Sequence, residues 1–98
     1  MATLCYSAIH GAGGQALQSQ DRGHVFLFKY DTDDETVLHI YARHLTQPSE
    51  AIECFFAGKT TRNHERNRYE TTTETHCLYW FWMNEAERVV YVITCFTR

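Results

Sequence analysis

Proline occurs once and glycine five times in 98 residues, too few for a linker, a collagen-like repeat or a low-complexity chain. The longest apolar stretch, Leu78 to Met83, falls far short of the roughly 20 residues a membrane-crossing helix needs. The opening MATLCY has no basic segment and no apolar core, so no signal peptide is expected and the chain reads as cytoplasmic. Cysteine occurs at positions 5, 54, 77 and 95, never as C-x-x-C. With reduced thiols expected, these residues read as small buried hydrophobes, and no disulfide framework follows. No Ser-His-Asp order, H-E-x-x-H or Cys–His zinc spacing occurs, so neither a metal nor a cofactor is expected. Four of the five glycines fall in HGAGGQALQSQDRG (10–23), which matches no phosphate-binding loop and reads as a loop with one helical turn. Asp31 to Glu35 resembles the start of a calcium loop but lacks its central glycine, and position twelve is Ala42 rather than Glu.

Aromatic residues are plentiful, with six Phe, six Tyr and two Trp, and favour a sheet-based core. The length suits one domain, 1–98. A net charge of −3 excludes bulk electrostatic attraction to nucleic acid, which needs many cations, but not a local basic patch. HVFLFKY (24–30) and TVLHIYA (36–42) read as strands joined by the polar turn at 31–35. Residues 46–58 read as the one main helix, with Thr46 as N-cap, Pro48 in its first turn, Ile52, Phe55 and Phe56 on one face, and Gly58 as the stop. RNRYETTT (66–73), HCLYWFWM (76–83) and RVVYVITCFT (88–97) read as three more strands. The near-continuous apolarity of the last two places them centrally with both faces covered. The expected fold is α+β: a mostly antiparallel five- to six-stranded sheet with one main helix packed on it, in the order β-β-α-β-β-β. Residues 2–9 add a candidate edge strand. An open sheet with a strong edge is expected to pair with a second copy, giving a homodimer.

Five of the nine Lys and Arg residues lie at 59, 62, 66, 68 and 88. At the two-residue period of a strand, Arg62, His64, Arg66, Arg68 and His76 would share one face. Arginine suits phosphate, because its planar fork donates two hydrogen bonds to paired oxygens. The bland alternative is a solvated edge kept soluble by its charge. A second constellation is HIYARH (39–44). On a strand His39, Tyr41 and Arg43 would share a face, and His44 would stand at the junction with the helix, where a histidine can exchange protons near neutral pH.

The stretch from about Val37 to Arg98 resembles the small BrnT-like toxins of the RelE/ParE ribonuclease-toxin superfamily. IYARHLTQPSEAIECFFAG (40–58) is similar to that family's passage into its helix, NRYETTTET (67–75) to its third strand, and HCLYWFWMNEAERVVYVITCFTR (76–98) to its closing hairpin. The resemblance implies a small sheet with helices packed on it, metal-independent cleavage of RNA through its 2′-hydroxyl, and a cognate antitoxin as partner. It matches Arg43 and His44 to the family's basic-residue–histidine pair, Arg66 or Arg68 to its third-strand arginine, and Arg98 to its terminal one. The chain departs from the family in its net acidity and in its first 23 residues. Expected catalytic groups are His44, Arg66, Arg68 and His76. Arg43, Lys59, Arg62, His64, Tyr69 and Arg98 are expected to bind substrate. The competing expectation is a protein-binding inhibitor without chemistry, such as an immunity, antitoxin-like or phage-encoded anti-defence protein. Its acidity and abundant Tyr and Trp would then meet a basic protein target.

Overall fold

The computed structural model describes residues 6–11 and 14–98, with side chains from Ala16 onward. Cys5 and residues 2–5 of the expected edge strand lie outside the described residues. The elements run β1 (Tyr6–Gly11), β2 (Gly14–Asp21), β3 (His24–Lys29), α1 (His39–His44), α2 (Pro48–Ala57), β4 (Lys59–Asn63), β5 (Arg68–Thr72), β6 (His76–Asn84) and β7 (Val89–Thr97). All seven strands join one mixed sheet in the order β1-β2-β3-β7-β6-β5-β4. Two antiparallel meanders, β1 to β3 and β4 to β7, meet at its centre, where β3 and β7 pair in parallel from Val25–Val89 to Phe28–Val92.

The fold is α+β, but the finer expectation needs correction in strand count, in sheet type and in having two helices. The segment read as a loop with a helical turn contains β2. Its two-residue connection to β3, Arg22-Gly23, has positive φ at both residues (48° and 76°), the twist that a tight hairpin requires. The segment read as a strand over 36–42 keeps a single bridge, Tyr30 to Leu38, and then becomes α1. Local turns consume the intervening residues. Asp31 accepts the Asp33 N–H at 3.1 Å, and Asp34 accepts both the N–H and the hydroxyl of Thr36. The strand read over 66–73 is the second half of a hairpin, with β4 before it and a turn at 64–67.

Helix α2 starts one residue later than expected. Thr46 is buried with its hydroxyl turned back to the His44 carbonyl, so Gln47 takes the N-cap position and donates its N–H to Glu50 Oε2 at 2.7 Å. Its buried Ala51, Ile52 and Cys54 pack with Ile40 of α1 on Phe26, Phe28, Leu78, Trp80, Val90, Val92 and Cys95 of the sheet. Helix α2 and Ile40 of α1 therefore lie on one face, while α1 ends with its His44 ring against Phe96. The cross-strand pairs Phe81–Tyr91, Tyr79–Thr94 and Cys77–Phe96 point to the other face, which α2 does not cover. No helix among the described residues is long and apolar enough to cross a membrane.

Candidate functional site

The face that α2 does not cover carries a chain of ring contacts. The His44 ring lies 5.6 Å from that of Phe96, Phe96 meets Tyr79 edge-on at 5.4 Å, and the Arg68 guanidinium carbon stands 3.8 Å over Tyr79. Phe81 and Tyr91 stack at 5.0 Å on the same face. Neighbouring strands set this arrangement, because Glu70 is in register with Tyr79 and Arg68 lies two residues along the same face. Arg68 directs Nε and Nη2 to Glu70 Oε2, both at 2.9 Å, which leaves Nη1 without a partner among the described residues. Glu70 sits below the usual carboxylate range because Asn63 and Arg68 both donate to it.

At the His44 end, α1 and the turn before it assemble a charged cluster. The Asp31 side chain, 5% exposed, accepts Arg43 Nε at 3.0 Å and lies 3.6 Å from His39 Nδ1. That second distance is beyond a hydrogen bond but within electrostatic reach. Arg43 Nη2 donates to Asp33 Oδ2 at 2.7 Å. Burial would raise Asp31, but the Arg43 and Asp33 hydrogen bonds outweigh it and hold the carboxyl low. The His39 ring faces that of His44 edge-on at 6.1 Å. Burial, with Lys29 and His44 adding to it, lowers His39 despite Asp31, so this imidazole is neutral near pH 7 and able to accept a proton.

The structure does not bring the expected catalytic set together. His76 points to the helical face, where Nε2 meets Glu50 Oε1 at 3.2 Å and Nδ1 meets the Thr75 hydroxyl at 2.8 Å. Both ring nitrogens are engaged in tying α2 to β6. Tyr69 pairs with Trp80, four residues along β6 from His76, about 13 Å at the rise of a strand. Arg68 is one residue further and on the opposite face. The expected row of cations fails because the chain turns at 64–67 rather than continuing straight. His64 and Arg66 lie exposed in that turn. Arg62 packs over Tyr69 on the helical face, its guanidinium carbon 5.0 Å from the ring. Lys59 is exposed on the edge strand. Arg98 donates to the Thr73 carbonyl at 2.8 Å and fastens the last strand to the β5–β6 turn.

No protein family, curated protein or solved structure matches the chain.

The expected residues that do share a neighbourhood are Arg43, His44 and Arg68. Asp31, His39, Tyr79 and Phe96 join them without having been expected in a site. For the aromatics a signal was present: in β6 and β7 the residues between core positions are Tyr79, Phe81, Tyr91 and Phe96, where a sheet with one solvated face usually alternates to polar groups. Among the described residues no group of three or more His, Cys, Asp or Glu side chains is placed to hold a metal ion. The buried thiols are unsuited to nucleophilic work. Burial pushes Cys54 up and Cys95 up to about 12, so both remain protonated at neutral pH.

Proposed function

We propose that the face α2 leaves open binds single-stranded RNA and that the chain is a small, metal-independent ribonuclease of the toxin type, acting through the 2′-hydroxyl. The observation that carries this reading is the run of contacts from the His39–His44 pair through Phe96 and Tyr79 to Arg68. Aromatic rings on a sheet face are a recurrent platform for unstacked bases, the rings here are half-buried with part of each accessible, and guanidinium groups at intervals suit the phosphates between them. His39, neutral near pH 7, takes the proton of the 2′-hydroxyl. The 2′-oxygen bonds to phosphorus, the bond from phosphorus to the 5′-oxygen breaks, and His44 in its protonated form gives a proton to that leaving oxygen. The Nη1 group of Arg43, without a hydrogen-bond partner among the described residues, supplies a cation for the charge that develops on the phosphate. Arg68 takes a neighbouring phosphate of the strand. An antitoxin partner would have to cover this same face.

The test is cleavage of a single-stranded RNA oligonucleotide in excess chelator. The expected products end in a 2′,3′-cyclic phosphate on one side and a 5′-hydroxyl on the other, and the all-deoxy strand is left intact. His39→Ala and His44→Ala should each slow cleavage by on the order of 100-fold or more. Arg68→Ala should weaken RNA binding with less effect on the chemical step. Folded chain that turns over no RNA would sink the reading. The second reading, a protein-binding inhibitor, draws on the same face, whose stacked Phe81 and Tyr91 and buried Leu27 form an apolar strip beside the cations. A stoichiometric complex with a basic protein, formed without RNA turnover, would select it.

A further inference from the structure

Beside the β4–β5 hairpin lies a cleft of about 440 Å³, lined by Arg62, Arg66, Asn67, Tyr69, Phe81 and Trp82 among others. It exists because β5 starts at Arg68 while β6 runs on to Asn84. The outer edge of β6 beyond the Tyr69–Trp80 pair is therefore unpaired, and the turn at 64–67 overhangs it. Tyr69 lies stacked on Trp80 at 4.6 Å with 19° between the planes, and Trp82 meets Trp80 edge-on at 5.0 Å. These rings form a continuous aromatic wall.

The charge here differs from that of the three arginines held in ion pairs. Arg22, Arg43 and Arg68 are each matched by a carboxylate. Arg62 is held by three neutral acceptors: the carbonyls of Asn63 at 3.2 Å and Arg68 at 3.0 Å, and Asn67 Oδ1 at 2.6 Å. Its position is fixed while its charge stays uncompensated. Arg66 has only its main-chain N–H engaged, by Asn63 Oδ1 at 3.1 Å, and its exposed guanidinium has no partner among the described residues. Glu65, in the same turn, forms no ion pair with either. Two guanidinium groups outside any ion pair among the described residues, Arg66 feeling only the longer-range attraction of Glu70, stand beside an aromatic wall in a chain of net charge −3 and define a site for a ligand that is both flat and anionic.

We infer that this cleft binds one nucleoside monophosphate unit, its base against the Trp82 ring beside the edge of Tyr69 and its phosphate on Arg66 and Arg62. The volume lies within the range of small-ligand sites. Stacking accepts any base, since every base has a π-face, and the planar fork of arginine matches paired phosphate oxygens. The unit can arrive as a free nucleotide or within single-stranded RNA. The site shares no lining residue with the His39–His44 pair and does not depend on cleavage there.

Trp82 lines the cleft and Trp80 stacks on Tyr69 beside it, so intrinsic fluorescence reports on it. Adenosine 5′-monophosphate, adenosine, inorganic phosphate and a short single-stranded RNA are titrated into the full chain and into Arg66→Ala, a change at an exposed side chain that bonds to nothing. Saturable quenching by the monophosphate, weakened tenfold or more in Arg66→Ala while the weaker adenosine signal is unchanged, is the expected result and identifies a free-nucleotide site. The same Arg66 dependence seen only with RNA supports the inference with RNA as the source. Binding of inorganic phosphate as strong as that of the monophosphate would overturn it in favour of a simple anion site. Binding of neither nucleotide nor RNA, or binding indifferent to Arg66→Ala, would overturn it outright. Because binding is read without turnover, a chain that cleaves no RNA leaves this test intact.

Discussion

Thr71 shows how much can rest on one hydroxyl. The residue is fully buried on the helical face of β5, accepts the Trp80 indole N–H at 2.8 Å and meets the Thr60 hydroxyl at 2.7 Å. A buried donor that loses its acceptor bears its whole desolvation cost, about 1–3 kcal/mol. Thr71→Val keeps the shape and removes the acceptor, so the denaturant midpoint should fall by an amount in that range. Thr60→Ala removes the other half of the pair from an exposed residue and should cost distinctly less, because Thr71 retains the indole. Equal losses would mean that the Trp80 bond contributes nothing special. The Ser19 hydroxyl, buried on β2 without a hydrogen-bond partner among the described residues, has no such role, and Ser19→Ala should be tolerated.

Two glycine-related changes at the ends of the helices should act in opposite directions. Gly58 follows α2, and a Cβ built on it would stand 2.7 Å from both Thr71 Cγ2 and the Thr72 carbonyl. Backbone cannot yield as a flexible side chain can, so Gly58→Ala should cost roughly 1–3 kcal/mol. Leu45 ends α1 with φ of 53°, 75% exposed, while the Thr46 N–H bonds to the Ile40 carbonyl at 3.0 Å. This left-handed position suits glycine, so Leu45→Gly should raise stability by roughly 0.5–1 kcal/mol. Paired denaturation curves for the two variants check both signs. The same elements show what was legible beforehand. The body of α2, β3 and the β6–β7 hairpin were readable, because their apolar spacing and turn residues agree. Helix α1 was not, since Val37, Leu38, Ile40 and Tyr41 fit a strand as well as a helix, and only burial of Ile40 against the sheet decides between them. Strand β2 was hidden by Gly14 and its glutamines, since it takes its structure from pairing with β1 and β3 rather than from its own propensity. The candidate site was half legible. Arg43 and His44 were visible as a pair, but Asp31, in the turn that was expected, reaches Arg43 because α1 replaces the expected strand.

Across the whole molecule, the titrating groups should make stability fall on acidification in two stages. His39 is lowered from its ordinary 6.5 by burial, with Lys29 and His44 adding to it. Between that value and its native one the unfolded chain binds more protons than the folded chain, so stability is lost as the pH falls through this window. The groups facing His39 are Asp31, Arg43 and His44 around the start of α1, together with Lys29 at the end of β3. The second stage belongs to carboxylates held below their ordinary values of 3.8 and 4.5: Asp31 by Arg43 and the Asp33 N–H, Asp34 by Thr36, and Glu70 by Asn63 and Arg68. Their contribution is complete above the unfolded values and disappears as the pH drops through the native ones. Unfolding free energies at pH 7.5, 5.5 and 3 should therefore decline at each step. His39→Gln, which cannot take up a proton, should flatten the first decline and leave the second. Should the first decline survive that change at full size, another group governs the upper window, and His39 would lose its standing as the residue that is neutral near pH 7, on which its assignment as the base depends.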